Sequence, residues 1–388
     1  MFPLVVLGVF KYFNFFVKSF TDLLGMENPG ALAIILPVGI SFYTFQSMSY
    51  TIDVMRGQIK SHSFLNVALY VAFFPQLVAG PIVKASDFIP QLEKDHMLTK
   101  ADFLEGIQIF SIGLFKKMVI ADNLSVFVDD VFAKPMAFSS VSVILAVISY
   151  SIQIYCDFSG YSDMAIGVAK CLGYNFERNF NVPYISKNVS EFWKRWHISL
   201  STWLQQYLYI SLGGNRKGVA RTYINLLLTM VLGGLWHGAS YNFIIWGLLH
   251  GLALCVHKLW MKVKKPWKSN WFTTLVSMLG TYIFVCICWV FFRAENLSLA
   301  LSVIGKMFIW TPGIVQIFSW TIFALTVMLL THSVVLIRQR KRDLPKAEGY
   351  YPLVNLSTIK GQTLFFIFLG LILCLAYANS NPFIYFQF

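Results

Sequence analysis

The sequence predicts an all-α protein that crosses a membrane several times, and three observations lead to this prediction. Hydrophobic residues make up 57% of the 388-residue chain, charged residues make up 13%, and the mean hydropathy is +0.62. Soluble domains carry about 25% charged residues, so roughly half of the usual charge is missing. Apolar stretches of about 20 residues, the length that a helix needs to cross the hydrocarbon core, recur along the chain.

We predict that these apolar stretches form one transmembrane domain over residues 1–388. They lie at about 2–20, 30–50, 64–83, 103–121, 138–156, 222–236, 240–260, 271–292, 315–337 and 362–379. Several are short or interrupted by glycine and proline, as at residues 36–41 (LPVGIS) and 73–81 (FFPQLVAGP). Broken helices at membrane depth are tolerated only where protein or a water-filled cavity covers the freed backbone groups. The sequence therefore predicts an irregular helical bundle with a cavity.

The formal charge of +13 is distributed in short basic runs between the apolar stretches. Such runs are typical of cytoplasmic loops. The strongest is at residues 338–342 (RQRKR), and two others lie at 262–268 and 216–221. One span after the strongest run the chain ends at residues 381–388, which are therefore predicted to be extracytoplasmic. No basic face is interleaved with aromatic residues outside the membrane, so a nucleic-acid partner is not expected.

His237 is predicted to lie deep in the membrane. The segment from Arg221 to Lys262 begins and ends in the predicted cytoplasm, so it must form a helical hairpin, and its turn is at residues 236–240 (WHGAS). This turn lies about 15 residues from Arg221, which corresponds to a depth of ~22 Å in a hydrocarbon core of ~30 Å. The structural alternative is that His237 is a buried histidine whose side chain is hydrogen-bonded to a backbone carbonyl.

His197 lies in residues 190–212, a segment that is too polar to span the membrane and too aromatic for a plain loop. Its aromatic and basic residues are Trp193, Trp196, Trp203, Tyr207, Lys194 and Arg195. This composition predicts an interfacial or re-entrant helix with its rings at the level of the lipid headgroups. An amphipathic anchor is the structural alternative. One interfacial and one deep histidine on neighbouring elements indicate an acid/base pair that faces a passage.

The two histidines suit acyl transfer. Histidine titrates near neutrality, and a deep imidazole stays neutral and can accept a proton from a hydroxyl. We assign this role of general base to His237, and to His197 the orientation of the donor or of the leaving group. No GxSxG elbow and no HExxH or EF-hand pattern occurs, and the six cysteines form no CxxC pair, so neither a serine-hydrolase triad nor a metal site is expected.

The charged residues near these segments leave two interpretations open. Asp157 and Asp163 follow the predicted end of a span, where Asp163 is expected to cap irregular backbone and Asp157 either does the same or lines the cavity. Lys187, Lys194 and Arg195 either hold the phosphates of a cytoplasmic donor or extend toward lipid headgroups. The candidates for the tunnel or the donor site are Lys194, Arg195, Trp196, Asp157 and Trp236.

Four sequence motifs resemble those of the membrane-bound O-acyltransferase (MBOAT) family. They are PVGISFYTFQSMSYTIDVMRG (37–57), FFPQLVAGPIVKASDFIPQL (73–92), YCDFSGYSDMAIGVAKCLGYNFERNFNVPYISKNVSEFWKRWHISLSTWL (155–204) and LGGLWHGASYNFIIWGLLHG (232–251). They cover most of residues 35–255 and are similar to the AlgI-like branch, whose members acetylate alginate or peptidoglycan and alanylate teichoic acids. The resemblance implies a ring of about ten tilted, partly broken helices, with re-entrant or interfacial helices, around a central tunnel.

The resemblance also implies site residues and partners. His197 and His237 match the histidines of the family, and His237 matches its catalytic residue. The implied donor is a cytoplasmic thioester, acetyl-CoA or an acyl carrier protein, with no bound cofactor. The implied partners are an extracytoplasmic SGNH-type transferase and a polysaccharide acceptor, and the implied location is the cytoplasmic (inner) membrane of a bacterium.

In the C-terminal tail (residues 381–388), residues 383–388 (FIYFQF) resemble the aromatic tail motif of this branch. We hypothesise that Tyr385 accepts the acyl group and passes it on outside the membrane. An aromatic anchor at the outer interface is the alternative. Members of the branch usually begin with two or three more helices before the stretch that matches FKYFNFF, whereas this chain starts at Met1 just ahead of it. The resemblance therefore predicts a short form or a missing N-terminal part.

Two other classes of function stay open at this point. One is a transporter or exporter of an acyl group or small solute, with the histidines as a proton relay. The other is a non-catalytic scaffold that docks the extracytoplasmic transferase. The halves of the sequence show no repeat symmetry, and acidic residues inside the spans are few, so the sequence favours the enzyme over the transporter.

Overall fold

The computed structural model describes residues 2–27, 30–32, 34, 37, 39–77, 80–94, 98–263, 270–340, 353–378 and 382–384, with only the backbone for residues 2 and 338–340. The α-helices of this part of the chain are α1 (Phe2–Leu7), α2 (Phe13–Leu24), α3 (Ile40–Met55), α4 (Phe64–Ala72), α5 (Phe74–Leu77), α6 (Ala85–Leu92), α7 (Lys100–Leu114), α8 (Asp122–Ala133), α9 (Ser140–Cys171), α10 (Val189–Trp193), α11 (Ile198–Trp203), α12 (Val219–His237), α13 (Tyr241–Val263), α14 (Trp271–Arg293), α15 (Leu297–Phe308), α16 (Ser319–Arg340) and α17 (Ile359–Leu375).

The prediction of an all-α, multi-pass membrane protein is confirmed. Among the described residues no β-strand forms, and six helices are long and apolar enough to cross a membrane. They are Pro3–Leu24, Ser140–Cys171, Val219–His237, Tyr241–Val263, Trp271–Arg293 and Ser319–Ile337. The first of these is α1 and α2 joined by a π-helical turn at Gly8–Tyr12. The predicted hairpin with its turn after residue 236 is formed by α12 and α13.

Three predicted spans differ from the helices that form. The span predicted at 30–50 is helical only from Ile40 onward, and the one predicted at 64–83 breaks after nine residues, where Phe73 takes an extended backbone. The side-chain amide of Gln76 donates to the carbonyl of Tyr70 at 2.6 Å, which satisfies one of the groups that the break frees. The third, predicted at 138–156, is the first part of the 32-residue α9.

The two acidic residues of α9 lie within the helix, so the prediction that they follow the end of a span is wrong. The helix continues past these residues because lysines on a neighbouring helical segment neutralise both carboxylates. A π-helical turn at Phe115–Ala121 directs two consecutive lysines toward α9. Lys116 Nζ lies 2.6 Å from Asp163 Oδ2, and Lys117 Nζ lies 2.7 Å from Asp157 Oδ1. Paired charges can be accommodated inside an apolar bundle, whereas isolated ones are expensive.

α9 lies at the centre of the packing, in contact with α5, α7, α8, α14, α15 and α16. Its closest neighbour is α7, and glycines on both helices allow the approach. A Cβ atom at Gly106 would lie 2.6 Å from the carbonyl oxygen of Gly167, and a Cβ atom at Gly113 would lie 2.5 Å from that of Gly160. Small residues at such crossings let helix backbones come into direct contact, which is how helices associate in membranes without a hydrophobic driving force.

Replacing Gly113 by alanine is expected to destabilise the fold, because the new methyl group would meet backbone atoms of α9 that cannot rotate away. Overpacking of this kind costs about 1–3 kcal/mol. The matched control is Gly280→Ala in α14, where nothing lies within 4 Å of the position of a Cβ atom. That substitution should be neutral or stabilising by up to about 1 kcal/mol.

The measurement is the midpoint of thermal unfolding in detergent, followed by size-exclusion chromatography of heated samples. A Gly113→Ala midpoint equal to that of Gly280→Ala would contradict the proposed contact between α7 and α9.

Candidate active site

His197 lies in the turn between α10 and α11 and is fully buried. Its φ of 43° is in the left-handed region, which is uncommon for residues other than glycine and allows the sharp change of direction between the two helices. The turn is held from the loop that precedes α10, because the Ile198 N–H donates to the carbonyl of Asn179 at 2.9 Å. His197 is therefore enclosed by protein, and its interfacial depth in the membrane stays a prediction.

The side chain of Asn179 determines which nitrogen of His197 carries the proton. Its Oδ1 accepts the backbone N–H of Ser199 at 3.1 Å, and it lies 3.2 Å from His197 Nδ1. A backbone N–H can only donate, so the atom that faces it must be the amide oxygen. His197 Nδ1 therefore carries the hydrogen and donates, which leaves Nε2 as the acceptor.

His237 is the last residue of α12 and is also buried. Its imidazole is packed by the rings of Trp236, Trp246 and Phe292, at centroid distances of 5.0, 5.0 and 5.2 Å. The indole of Trp236 also faces His197, at 6.4 Å between centroids. The structure thus brings the two predicted histidines together, with Trp236 in contact with both.

Several polar atoms around the two histidines are buried without a hydrogen-bond partner in the described part of the chain. They are His197 Nε2 and the indole nitrogens of Trp236 and Trp246. Leaving a buried donor or acceptor unpaired costs about 1–3 kcal/mol, so native proteins rarely do so. A group of such atoms beside the two histidines indicates a place where a polar ligand binds.

The aromatic residues of the 190–212 segment pack against protein. Trp193, Trp196, Trp203 and Tyr207 are all buried, so these rings contact protein and are not exposed to lipid. The segment forms two short helices and a π-helical turn at Leu204–Tyr209, and not the single interfacial helix. Its Trp196 indole lies 4.9 Å from that of Trp289 on α14, which places Trp196 in the wall around the site.

Sequence reasoning assigned no role in this site to Asn179, His250 or Lys11. His250 on α13 is fully buried, and its Nδ1 accepts the indole N–H of Trp193 at 3.3 Å. Lys11 donates to the carbonyls of Trp236 and His237 at the end of α12. The signal that could have found Lys11 is a basic residue inside the first apolar stretch, because intramembrane charges are expensive and mark functional sites. No comparable pattern in the sequence distinguishes Asn179.

Asp157 anchors the C-terminal end of the described chain. Its Oδ2 accepts the backbone N–H of Ile384 at 2.9 Å, while Oδ1 is held by Lys117, which also pairs with Asp122 at 2.7 Å. Phe383 is fully buried, with its ring 5.6 Å from that of Phe158, and the Phe158 ring lies 4.6 Å from His197. Tyr385, the predicted acyl acceptor, lies outside the described residues.

The predicted donor-binding residues differ in their surroundings. Arg195 is engaged by Glu191 at 2.9 Å and by the carbonyl of Asn181 at 3.2 Å, so its guanidinium serves the local fold. Lys187 and Lys194 are exposed. Lys194 lines a cavity of about 590 Å³ between the 190–212 segment and the α12–α13 hairpin, and the cavity is also lined by His257 and Lys258.

No group of three His, Cys, Asp or Glu residues that could hold a metal ion occurs within the described ranges.

Comparison with known proteins identifies the family. The sequence profile of MBOAT, the membrane-bound O-acyltransferase family, matches residues 13–301, which include both histidines. The chain belongs to this family. The resemblance of the motifs is thereby confirmed, and this MBOAT protein is a membrane acyltransferase.

Individual relatives agree with this result. The chain is 40% identical to the probable alginate O-acetylase AlgI of Pseudomonas putida, over 99% of this chain and 82% of that protein. It is 42% identical to the peptidoglycan O-acetyltransferase of Helicobacter pylori, over 78% of this chain and 62% of that protein. It is 30% identical to the teichoic acid D-alanyltransferase of Bacillus subtilis, over 66% of this chain and 69% of that protein.

Replacing Asn179 by alanine is expected to reduce acyl transfer by about tenfold or more, because a small misplacement of a reacting group is costly. The change removes the acceptor that orients His197 and the Ser199 backbone. The control is Asn175→Ala, an exposed asparagine in the same loop, which should behave as the wild type.

The measurement is the turnover per folded molecule of the MBOAT protein in lipid. Turnover of Asn179→Ala equal to that of Asn175→Ala would show that the orientation of His197 is not needed.

Proposed function

We propose that this MBOAT protein moves an acyl group, in the first instance acetyl, from a cytoplasmic thioester to a hydroxyl group on the outer side of the membrane. The observation that carries the proposal is the pair of buried histidines on either side of Trp236, surrounded by buried donors and acceptors. The final acceptor is a polysaccharide such as alginate or peptidoglycan. The names of the relatives from P. putida and H. pylori support this choice of acceptor.

The reaction requires one base and one oxyanion donor. His237 accepts the proton of the acceptor hydroxyl while the hydroxyl oxygen attacks the thioester carbonyl. The new C–O bond forms, the C–S bond breaks, and the proton passes from His237 to the departing thiolate, so the products are an ester and a free thiol. The buried indole N–H groups of Trp236 and Trp246 are the donors available to the developing oxyanion. His197 Nε2, an acceptor, orients a hydroxyl or thiol.

The donor reaches the site from the cytoplasmic side. The cavity lined by Lys194, His257 and Lys258 supports this direction, because its lining extends along α13 to Met261, next to the basic run at 262–268. Two lysines at its edge suit the phosphate groups of CoA or of a carrier-protein prosthetic group. Its walls also include Met230 and Leu254, which suit an acyl chain.

We further propose that the C-terminal tail accepts the acyl group before the polymer does. Tyr385 forms an ester with the acyl group, and an SGNH-type transferase outside the membrane moves it to the polysaccharide. Support comes from the residues just before Tyr385, since Phe383 is buried against Phe158 and the Ile384 N–H is bonded to Asp157. These contacts hold Phe383 and Ile384 within the protein, which a surface anchor would not require.

The first experiment measures acyl release and acyl-protein formation from radiolabelled acetyl-CoA by the purified protein in lipid. His237→Ala is expected to lower turnover by roughly 10²–10⁴-fold, the usual contribution of a general base. The control is His332→Ala, a buried histidine on α16 that contacts Tyr155 and Tyr184 and lies outside the site.

Equal turnover of both variants would remove His237 from the chemistry and favour the transporter or the scaffold. If the wild type does not use acetyl-CoA, an acetylated carrier protein is tested next, and failure with both donors contradicts the proposed donor class.

The second experiment tests the tail with Tyr385→Phe, which removes only the hydroxyl. We expect the radiolabel on the protein to disappear and polymer acetylation to stop, because no ester can form at this position. Tyr377→Phe, in the last described residues after α17, is the control and should keep both signals. Normal acetylation by Tyr385→Phe would leave the tail as an aromatic anchor.

A further inference from the structure

Lys11 connects the first helices to the end of α12. It lies in the π-helical turn at Gly8–Tyr12, and its ammonium group donates to the carbonyls of Trp236 at 2.8 Å and His237 at 2.9 Å. The same nitrogen lies 3.3 Å from the hydroxyl of Ser41 on α3. The neighbouring Tyr12 hydroxyl donates to the carbonyl of Leu235 at 3.0 Å.

These contacts provide hydrogen-bond donors for the backbone carbonyls at the end of α12. The residues that follow the helix do not provide them. The last four carbonyls of any α-helix have no partner inside the helix. α12 continues into Gly238, whose backbone is extended at φ −167° and ψ 153° and does not fold back over the helix end as a Schellman turn would. Three successive carbonyls, from Leu235 to His237, are instead bonded by Lys11 and Tyr12.

The ammonium group also has the favourable charge. The C-terminal end of a helix carries partial negative charge, so a cation there is stabilised. A lysine inside an apolar span is expensive unless it is paired or bonded to backbone carbonyls, as Lys11 is here. The π-helical turn contributes because it changes the side-chain directions of consecutive residues, and π turns are often found at functional sites.

We propose that Lys11 and Tyr12 are positioning residues that fix the end of α12 and thereby the imidazole of His237. This inference rests on the proposed role of His237 as the base. The His237 ring is surrounded by aromatic rings, so its position follows the backbone at Trp236 and His237, and that backbone is held by Lys11. Lys11 and Tyr12 bond the backbone of α12 in these contacts and do not line the cavity assigned to the donor, so binding of the donor should not depend on them.

The experiment compares Lys11→Met, Lys11→Arg and Lys18→Met in the purified full chain in lipid, with radiolabelled acetyl-CoA. Methionine keeps the length of the side chain and removes the donor, arginine keeps a donor with its charge, and Lys18 is an exposed lysine on α2. For Lys11→Met we expect kcat to fall by about 10- to 100-fold with KM for acetyl-CoA unchanged. We expect Lys11→Arg to recover most of the loss and Lys18→Met to equal the wild type.

Three results would overturn the proposal. One is a Lys11→Met kcat equal to that of Lys18→Met. Another is a rise in KM without a fall in kcat, which would place Lys11 in donor binding. The third is a loss of kcat that follows only the folded fraction, as measured by the thermal midpoint, and that Lys11→Arg does not restore. This result would make Lys11 a structural anchor.

If Lys11→Met does not yield folded protein, Tyr12→Phe decides the question. This variant removes one bond to α12 without leaving a charge unpaired. A kcat reduced several-fold at constant KM supports the positioning role, and an unchanged kcat overturns it. His237→Ala is measured in the same assay. If it retains turnover, the proposed function fails and the positioning role fails with it. If it abolishes turnover while the Lys11 and Tyr12 variants are normal, only the positioning role fails.

Discussion

Carbonyl groups at a buried helix end must find donors within the protein, and the end of α12 is the place where this requirement shapes the molecule most. Water would solvate these carbonyls at a surface, but His237 is buried, so the donors come from residues more than 200 positions away. The N-terminal helices are therefore tied to the active site by hydrogen bonds as well as by packing. A similar requirement is met at the break after α4, where Gln76 bonds the carbonyl of Tyr70.

On the side of the site around His197, ion pairs between buried side chains connect distant parts of the chain. Lys116 and Lys117 extend from the π-helical turn to Asp163 and Asp157 on α9, and a second contact of Asp157 holds Ile384. A charge buried alone would be very costly, so each of these ions requires its partner. The result is a connected path from α7 and α9 to the last described residues of the chain. Phe383 and Phe158 then connect these residues to His197 by ring packing.

Part of the fold and of the site could be predicted from the sequence alone. The α12–α13 hairpin follows from two basic ends and one turn within an apolar segment, because charge and hydropathy act locally along the chain. The two histidines could be selected because ionisable groups are rare in so apolar a sequence. The continuation of α9 through Asp157 and Asp163 could not be predicted, since it depends on lysines about 40 residues earlier. The burial of Trp193 and Trp196 depends likewise on α13 and α14.

By itself the sequence determined the class of the protein, the position of the main turn and the family, because composition, periodicity and motifs need no knowledge of distant contacts. Only the tertiary structure decided that His197 is buried, that its Nδ1 carries the hydrogen, and that Trp236 contacts both histidines. It also decided that Lys11 bonds the end of α12. The physical reason is the same in each case: hydrogen bonds and ion pairs inside an apolar protein form between whichever groups the packing brings within about 3 Å, whatever their separation along the chain.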